Sequence, residues 1–347
     1  MNLKIMNRIN VNEMILLLNP NSQGGNTGKT WIATYNKVKE FLPKNHRIIF
    51  TKKSNDGIFI TRKLLQKGYK NIVAIGGDGT INEIANGFFS LRSQNKHIKD
   101  FEKFNLNSRL KPVNPKGIMY VIPSGSRNVL ARSLELKHQG VGALKRIRQM
   151  KRRKMDVIAA VITDKDTPSL THNRIIMNAA EIGVGAEIIE RSKRVRGKIK
   201  NRFVSTVASI VVTLPSYNSN ECDIVIDRDK KIFSKMTMGI VSNGRFLGGG
   251  FKAAPRAKFS DGLMDIIILT NSGSFKMLDK LIELKGTSTY KYEDDILYYQ
   301  ASEVKFLPRK RNVTVSVDGE PIGMLPAIFR SYHNALTIKT ETHSSRI

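Results

Sequence analysis

The pattern of hydrophobic and polar positions changes near residue 134. Before that point, short apolar runs alternate with segments whose apolar residues recur every three or four positions, which predicts alternating strands and helices. The strands are predicted at residues 14–18, 47–50, 72–75 and 118–122, and the helices at residues 31–41, 57–67 and 81–89. This alternation predicts a parallel sheet with helices on both faces. Residues 91–116 are polar and basic without a clear period, so we expect an inserted loop there.

After residue 134, strand-like runs dominate and predict an antiparallel sandwich or barrel. They cover residues 155–162, 174–180, 223–226, 236–242, 264–269 and 313–317. One amphipathic helix is predicted behind a basic run, because apolar residues from Phe203 to Leu214 recur at helical spacing. Such a helix either packs on the sheet or forms an apolar lip at its edge.

The loop after the third predicted strand carries the sequence Gly76-Gly77-Asp78-Gly79-Thr80. Glycines allow a sharp turn and a close approach of the backbone to a ligand. Thr80 and Glu83 have capping-box spacing, so we expect a helix to begin at Thr80. A carboxylate beside a helix N-terminus suits a phosphate with its counter-cation, although an ordinary glycine-rich turn has the same composition.

Two further polar loops follow predicted strands in the same part of the chain. They are Asn19-Pro20-Asn21-Ser22 and Pro123-Ser124-Gly125-Ser126-Arg127-Asn128. Because the carboxyl ends of parallel strands meet at one edge of a sheet, we expect all three loops to form one ligand site.

Five blocks in this order resemble the diacylglycerol kinase catalytic family, which includes soluble bacterial lipid kinases and sphingosine and ceramide kinases. The blocks are NPNSQGG, GGDGTINEIANG, IPSGSRNVLAR, SNGRFLGGG…FSDGLMD and VSVDGEP. The GGDGT loop alone also occurs in NAD kinases and phosphofructokinases, but the order and spacing of all five blocks favour the lipid kinases.

The resemblance implies an α/β protein of two domains with the active site in the cleft between them. The first is a Rossmann-like parallel-sheet domain at residues 11–133, to which a C-terminal segment at residues 321–341 returns. The second, at residues 134–320, is an antiparallel β-sandwich that binds the lipid substrate.

The implied reaction transfers phosphate from ATP, with Mg²⁺, to a hydroxyl of a membrane lipid alcohol such as diacylglycerol. Asp78 would hold Mg²⁺ or its water shell, and Glu320 would accept the proton of the lipid hydroxyl. The residues expected at the nucleotide are Asn19, Thr51, Gly76, Gly77, Asp78, Gly79, Thr80, Ile81, Asn82, Ser124, Gly125, Ser126 and Asn128.

A second, structural Mg²⁺ site is implied at Lys258, Asp261 and Leu263, where only Asp261 would use its side chain. Without the resemblance, residues 260–262 and the Asp318-Gly319 pair would be interpreted as simple turns.

Three local features leave alternatives open. Arg127 and Val129 depart from the family pattern, so Arg127 either contacts phosphate or faces solvent. The glycine-dense loop at residues 243–250 is either a flexible lid or a long hairpin. Residues 24–30 resemble a Walker A motif but lack one of its required spacer residues, which argues against a P-loop.

The chain carries 58 Lys and Arg against 29 Asp and Glu, a formal net charge of +29. Basic runs at residues 145–154 and 191–202 predict attraction to polyanions, which include anionic lipid, nucleic acid and nucleotide, and a few such residues suffice for docking on an anionic membrane surface. The single cysteine, Cys222, excludes an intrachain disulfide, and no apolar stretch is long enough to span a bilayer.

We therefore expect a cytoplasmic protein, peripherally associated with the membrane, for which a homodimer is compatible with the sequence. An NAD kinase-like small-molecule kinase is the alternative enzyme. A basic nucleic-acid-binding protein is the alternative of another class, but no recognition motif of that class is present, so no specific nucleic acid is expected.

Overall fold

The computed structural model describes residues 10–22, 25–91, 100–107, 109–195, 213, 217–270, 295–310 and 312–341. The helices are α1 (Asn26–Val38), α2 (Asp56–Gln66), α3 (Asp78–Gly87), α4 (Val129–Ser133), α5 (Gly140–Lys145) and α6 (Val184–Val195). The strands of the first half are β1 (Met14–Leu18), β2 (His46–Phe50), β3 (Asn71–Gly76), β4 (Phe89–Leu91), β5 (Leu110–Pro112) and β6 (Ile118–Pro123). Those that follow are β7 (Lys151–Thr163), β8 (Thr171–Ile176), β9 (Ala179–Gly183), β10 (Asn220–Ile226), β11 (Lys230–Ser242), β12 (Met264–Thr270), β13 (Ile296–Ala301), β14 (Glu303–Pro308), β15 (Thr314–Val317) and β16 (Glu320–Thr340).

A parallel sheet in the order β2-β1-β3-β6 organises the first half of the chain. Side chains alternate between the two faces of a strand, so each face of β1 meets different helices. Ile15 and Leu17 pack in one core with α2 and α3, whereas Leu16 and Leu18 pack in another with α1 and α5. Helices therefore cover both faces, as the sequence pattern predicted.

The strand order creates a crevice at the carboxyl ends of β1 and β3. The chain leaves β1 into α1 on one face and leaves β3 into α3 on the opposite face. Ligands bind where neighbouring connections diverge in this way. The strand order therefore predicts a ligand site at the loops that follow β1 and β3.

The second half of the chain is built from antiparallel pairs. Hydrogen-bonded pairing runs from β16 through β14, β10, β11, β9 and β15 and back to β16, which closes a circuit of six strands. An apolar core fills it, and the rings of Phe306 and Phe329 meet edge to face in that core, 6.0 Å apart. This agrees with the predicted antiparallel architecture.

The long strand β16 joins the two halves. It pairs with β7 along most of its length, and near its end Ile338 and Lys339 pair in parallel with Met119 and Tyr120 of β6. The parallel sheet and the antiparallel strands are consequently one continuous sheet. The domain limits at residues 133 and 320 stay a prediction.

Several sequence-based assignments need correction. The run at residues 174–180 is not one strand, because it breaks between β8 and β9. The segment at residues 91–116 is not all loop, since β5 pairs with β4. Helix α3 begins at Asp78 rather than at Thr80. The short helices α4 and α5 and the helix α6 were not predicted at all, because their local apolar patterns are brief or continue from a strand.

The amphipathic helix predicted at residues 203–214 lies outside the described residues, apart from Thr213. Among the residues that the structure describes, no helix is long and apolar enough to cross a membrane.

Candidate active site

The glycine-rich loop after β3 leads directly into helix α3. Gly77 is extended at the helix N-cap, with φ −84° and ψ −176°, and its carbonyl accepts the Ile81 N–H at 3.0 Å. The expected capping box is wrong. Glu83 turns away from Thr80 and accepts hydrogen bonds from the backbone N–H groups of Asn55 at 2.9 Å and Gly57 at 3.1 Å, where α2 begins.

The loops after β3 and β6 touch backbone to backbone. The Ser124 N–H donates to the Gly76 carbonyl at 2.7 Å. A Cβ atom added at Gly125 would lie 2.4 Å from the Cα atom of Gly77, closer than any real side chain approaches. Glycine is therefore required at position 125 for the two loops to meet.

The loop after β1 closes the third side of this edge. The hydroxyls of Ser22 and Thr80 lie 3.5 Å apart, and the Asn19 side chain accepts the Asn21 N–H at 2.9 Å. The Thr51 N–H donates to the Leu18 carbonyl at 2.9 Å, which holds the end of β2 beside the end of β1. The expectation that the polar loops converge is thus met by the geometry.

Two of the predicted nucleotide-site amides are occupied by protein partners. Asn128 has a positive φ of 49°, and its side chain exchanges hydrogen bonds with the backbone of Gly125 at 2.8 and 2.9 Å. The Asn82 amide donates to the Ile175 carbonyl at 2.8 Å and to the Asp318 carboxylate at 2.6 Å. These side chains shape the loops and join α3 to the second half of the chain.

Asp78 lies at the first position of α3, where the helix dipole and free N–H groups favour negative charge. Its Oδ1 atom accepts the backbone N–H of Leu130 in α4 at 3.0 Å, so one carboxylate touches the starts of two helices. A carboxylate supplies the oxygen ligands that Mg²⁺ takes.

Asp318 and Gly319 form the turn between β15 and β16, with φ values of 46° and 81°. Positive φ at both central residues is what a type I′ hairpin requires, so the predicted Asp-Gly turn is present. The Asp318 carboxylate accepts N–H groups of Met177, Asn178 and Ala179, each at 2.9 Å. Asp318 therefore fixes the gap between β8 and β9, which explains why the run at residues 174–180 is divided.

The charge of Asp318 is set by opposing effects. Burial raises its pKa to about 6, and the nearby Asp78 carboxylate acts in the same direction. The three backbone N–H donors act in the opposite direction because they stabilise the ionised form.

Glu320 leaves the same turn on the other side and is exposed. A Cβ atom added at Gly79 would lie 3.1 Å from its Oε1 atom, so the carboxylate lies over the first turn of α3. Residues far apart in sequence, Asp78 and Glu320, are thereby brought to the same helix N-terminus.

A single cavity of about 540 Å³ connects these loops to the second half of the chain. Its polar end is lined by eight of the predicted site residues: Asn19, Gly77, Asp78, Gly79, Thr80, Gly125, Ser126 and Glu320. Its other end is apolar and is lined by Ile188, Ile189, Met238, Leu247 and Phe251. The polar end combines loops of the first half with Glu320 of the second half, and the apolar residues belong to the second half, so residues of both halves line the cavity.

The other predicted nucleotide-site residues lie outside the cavity lining. Thr51, Gly76, Ile81, Asn82, Ser124 and Asn128 do not belong to the cavity lining of the described part of the chain. Thr51, Gly76, Ile81 and Asn128 are buried and support the lining residues.

The predicted structural metal site at Lys258, Asp261 and Leu263 is a separate turn before β12. The Asp261 carboxylate accepts the Leu263 N–H at 3.1 Å, and the buried Asp156 accepts the Gly262 N–H at 2.6 Å. Within the described residues no three His, Cys, Asp or Glu side chains are grouped as metal ligands. Because the predicted set uses one side chain and two carbonyls, it stays a prediction.

Two residues of this region were missed by the sequence analysis as functional elements. Asp318 was treated only as part of a turn, although its place beside Glu320 in the DGE block is a usable signal. Glu181 lines the cavity from β9, and its only signal is a lone carboxylate within an apolar strand.

Comparison with known proteins gives two adjoining family matches. The diacylglycerol kinase catalytic domain matches residues 13–160, and the YegS C-terminal NAD kinase beta sandwich-like domain matches residues 178–340. Together they cover nearly the whole chain in the order that the sequence blocks predicted.

Individual relatives are similar over most of their length. A diacylglycerol kinase of Staphylococcus epidermidis is 26% identical over 294 residues, which is 84% of this chain and 80% of that protein. One from Staphylococcus aureus is 25% identical over 283 residues, 80% of this chain and 77% of that protein. A crystal structure of a diacylglycerol kinase from Bacillus anthracis has the same fold, with a TM-score of 0.64 at 17% identity, covering 95% of this chain and 97% of the other. The chain is a kinase that belongs to the diacylglycerol kinase catalytic family and carries the YegS-type C-terminal domain.

Proposed function

We propose that this kinase transfers the γ-phosphoryl group of ATP, with Mg²⁺, to a hydroxyl of a membrane lipid alcohol such as diacylglycerol. The observation that carries the proposal is the cavity, which joins a glycine-lined helix N-terminus to an apolar chamber. A nucleotide kinase with two polar substrates has no need of such a chamber, whereas a lipid acceptor does.

The polar end is suited to the phosphates of the nucleotide. The first residues of α3 line the cavity, so the helix N-terminus borders it, and the free N–H groups and positive dipole end of a helix bind phosphate. Gly77 and Gly125 carry no side chains, so the backbone of both loops can approach an anion closely.

Asp78 is the residue that would hold Mg²⁺ at this end, either directly or through water. When bound, the ion would neutralise negative charge on the phosphates that develops during transfer. Asp78 is kept in place for this role by the Leu130 N–H, since that hydrogen bond fixes the carboxylate relative to both helices.

Glu320 would accept the proton of the attacking hydroxyl, a role supported by the position of its carboxylate over the first turn of α3. The lipid oxygen forms a bond to the γ-phosphorus as the bond from that phosphorus to the β–γ bridging oxygen breaks, and ADP leaves with the electron pair. The hydroxyl proton passes to the Glu320 carboxylate. Asp318 positions this group because its four hydrogen bonds hold the turn from which Glu320 projects.

The apolar end would hold the lipid chains beside the acceptor hydroxyl. The apolar walls include Ile188, Leu247 and Phe251. Contact between these side chains and acyl chains is favourable because it removes apolar surface from water. Binding of acyl chains at the apolar end would therefore favour a lipid alcohol over a soluble polar acceptor.

The decisive experiment is an assay of labelled ATP against lipid alcohols in mixed micelles, followed by thin-layer separation of the products. The panel should contain diacylglycerol, a sphingoid base, an isoprenoid diether and NAD, each with Mg²⁺ and with a chelator. Mg²⁺-dependent labelling of a lipid that is lost in Glu320→Gln would support the proposal. Labelling of NAD alone, or of no acceptor, would contradict it.

A further inference from the structure

The buried carboxyl group of Glu181 is a polar feature that the proposed chemistry does not use. Glu181 is 6% exposed and lies in the middle of β9, between Ile240 of β11 and Ser316 of β15. The hydroxyl of the fully buried Ser316 donates to its Oε2 atom at 3.1 Å. Glu181 also lines the cavity, so the residue that accepts the Ser316 hydroxyl borders the ligand space.

The start of α6 packs closely beside Glu181. Gly185 follows one turn later at the start of α6, and a Cβ atom there would lie 2.5 Å from Met238 and 3.3 Å from the Glu181 Cβ atom. Glycine is therefore required at position 185 for this close packing, and both Gly185 and Glu181 line the cavity. Ala179, Ile188 and Met238 form an apolar part of the same wall in one packed cluster, while Arg127 and Asp318 also line the cavity.

Burial has a large effect on the charge of Glu181. Desolvation raises its pKa to about 8, and the nearby Asp318 carboxylate acts in the same direction. The Ser316 hydroxyl and the Arg127 guanidinium oppose these effects without cancelling them. At neutral pH the group is therefore a carboxylic acid, which can donate as well as accept a hydrogen bond.

We propose that Glu181 is a specificity-determining residue that, as a neutral acid, donates a hydrogen bond to an uncharged oxygen of the lipid headgroup, either a second hydroxyl or an ester carbonyl. The inference rests on the proposed function, because it assigns the headgroup of the same acceptor lipid. The hydrogen bond would favour a diacylglycerol-type alcohol over an acceptor that has only hydrocarbon beside its reacting hydroxyl.

The same geometry disfavours a cationic headgroup. To pair with an ammonium, Glu181 would have to ionise while it is buried near the Asp318 carboxylate. The free energy needed to remove both charges from water can exceed the electrostatic attraction between them. An uncharged oxygen needs no change of protonation, since the acid proton is already available to it.

Three variants separate these cases. Glu181→Gln keeps a neutral donor of nearly the same size, Glu181→Leu keeps the volume but removes the donor, and Glu187→Gln is the matched control. Glu187 is a partly buried carboxylate on α6 that does not line the cavity. Melting curves with and without nucleotide confirm that each variant folds and still binds ATP.

Each variant is assayed for kcat/KM with dioctanoylglycerol and with a short-chain sphingoid base, and its binding of both lipids is measured by calorimetry without nucleotide. We expect Glu181→Leu to lose about tenfold or more in kcat/KM for dioctanoylglycerol, the typical effect of an unpaired buried hydrogen-bonding group. Glu181→Gln should stay within about threefold of wild type. The wild-type kcat/KM should fall above about pH 8 relative to that of Glu181→Gln, because only the neutral acid donates.

The inference is overturned if Glu181→Leu binds and phosphorylates dioctanoylglycerol like wild type. It is also overturned if Glu181→Gln selectively loses the sphingoid base, since that result would assign a carboxylate that pairs with an ammonium. If wild type phosphorylates no lipid, the proposed function fails, while the calorimetry still decides whether Glu181 binds the headgroup.

Discussion

Substitution of Gly125 by alanine tests whether the loops after β3 and β6 act as one phosphate site. The added Cβ atom would lie 2.4 Å from the Gly77 Cα atom and 2.7 Å from the Asn128 Oδ1 atom. Ordinary contact begins near 3.4 Å, so the two loops must separate by about 1 Å. Neither neighbouring atom can move aside easily. The Gly77 Cα atom belongs to the backbone, and the Asn128 side chain is held by hydrogen bonds with Gly125 and Gln139.

The magnitude follows from this displacement. Overpacking of this kind costs about 1–3 kcal/mol of stability. A shift of about 1 Å in a phosphate-positioning group is expected to lower kcat/KM by about 100-fold. The loss should be seen with every lipid acceptor, because the damage lies at the nucleotide end.

Gly142→Ala is the matched control, since a Cβ atom there meets nothing closer than the His138 Cβ atom at 3.5 Å. It lies in α5, where alanine favours the helix. Steady-state kinetics over ATP concentration and thermal melts of both variants provide the comparison. If Gly125→Ala has kinetics like those of wild type, the two loops need not touch for phosphate binding, and the site assignment is refuted.

Four other substitutions or conditions test the remaining assignments. Asp78→Asn should reduce turnover by the equivalent of about 3 kcal/mol or more with an unchanged circular dichroism spectrum, and normal turnover would remove Asp78 from the site. Glu320→Gln should lower kcat far more than it raises the KM for ATP, and the opposite pattern in a kinetic series would make Glu320 a binding residue. Wild type should melt at a higher temperature with Mg²⁺, and Asp261→Ala should lose that shift; a wild-type melt insensitive to Mg²⁺ would exclude the second metal site. In vesicle sedimentation, the protein should bind vesicles of anionic lipid but not those of neutral lipid. This binding should weaken as salt rises from about 0.1 M to about 1 M, because the Debye length falls from about 10 Å to about 3 Å. Equal binding to both kinds of vesicle would contradict membrane docking by the basic residues.

The parallel half of the fold could be predicted because its signals are local. Residues 14–18 are an apolar run bounded by polar residues, and the strand occupies the same positions. The glycines around Asp78 likewise indicate a turn and a helix start wherever they occur. Since parallel strands place their carboxyl ends at one edge, the convergence of the loops followed from topology alone.

The rest could not be predicted because it depends on contacts between distant residues. The spacing of Thr80 and Glu83 is that of a capping box, but the start of α2 offers Glu83 two better-placed N–H donors. Apolarity alone does not show that residues 174–180 break into two strands, because the cause is the carboxylate of Asp318, about 140 positions away. The lone carboxylate of Glu181 in an apolar strand is only a weak signal in the sequence, since the pKa of this group depends on how deeply β9 is buried.

The Asp318-Gly319-Glu320 turn explains how one short segment serves both folding and chemistry. Two adjacent residues with positive φ reverse the chain between β15 and β16. The Asp318 carboxylate accepts the N–H groups between β8 and β9 and the Asn82 amide of α3, while the Glu320 carboxylate lies over the first turn of α3. From Glu320 onward, β16 continues to the parallel sheet and pairs with β6, the strand that leads into the Gly125 loop. The carboxylate proposed to accept the proton and the loops proposed to hold the phosphate are thus tied to one another by a hydrogen-bonded turn at one end and a shared sheet at the other. Loosening either connection should therefore reduce catalysis before it unfolds the protein.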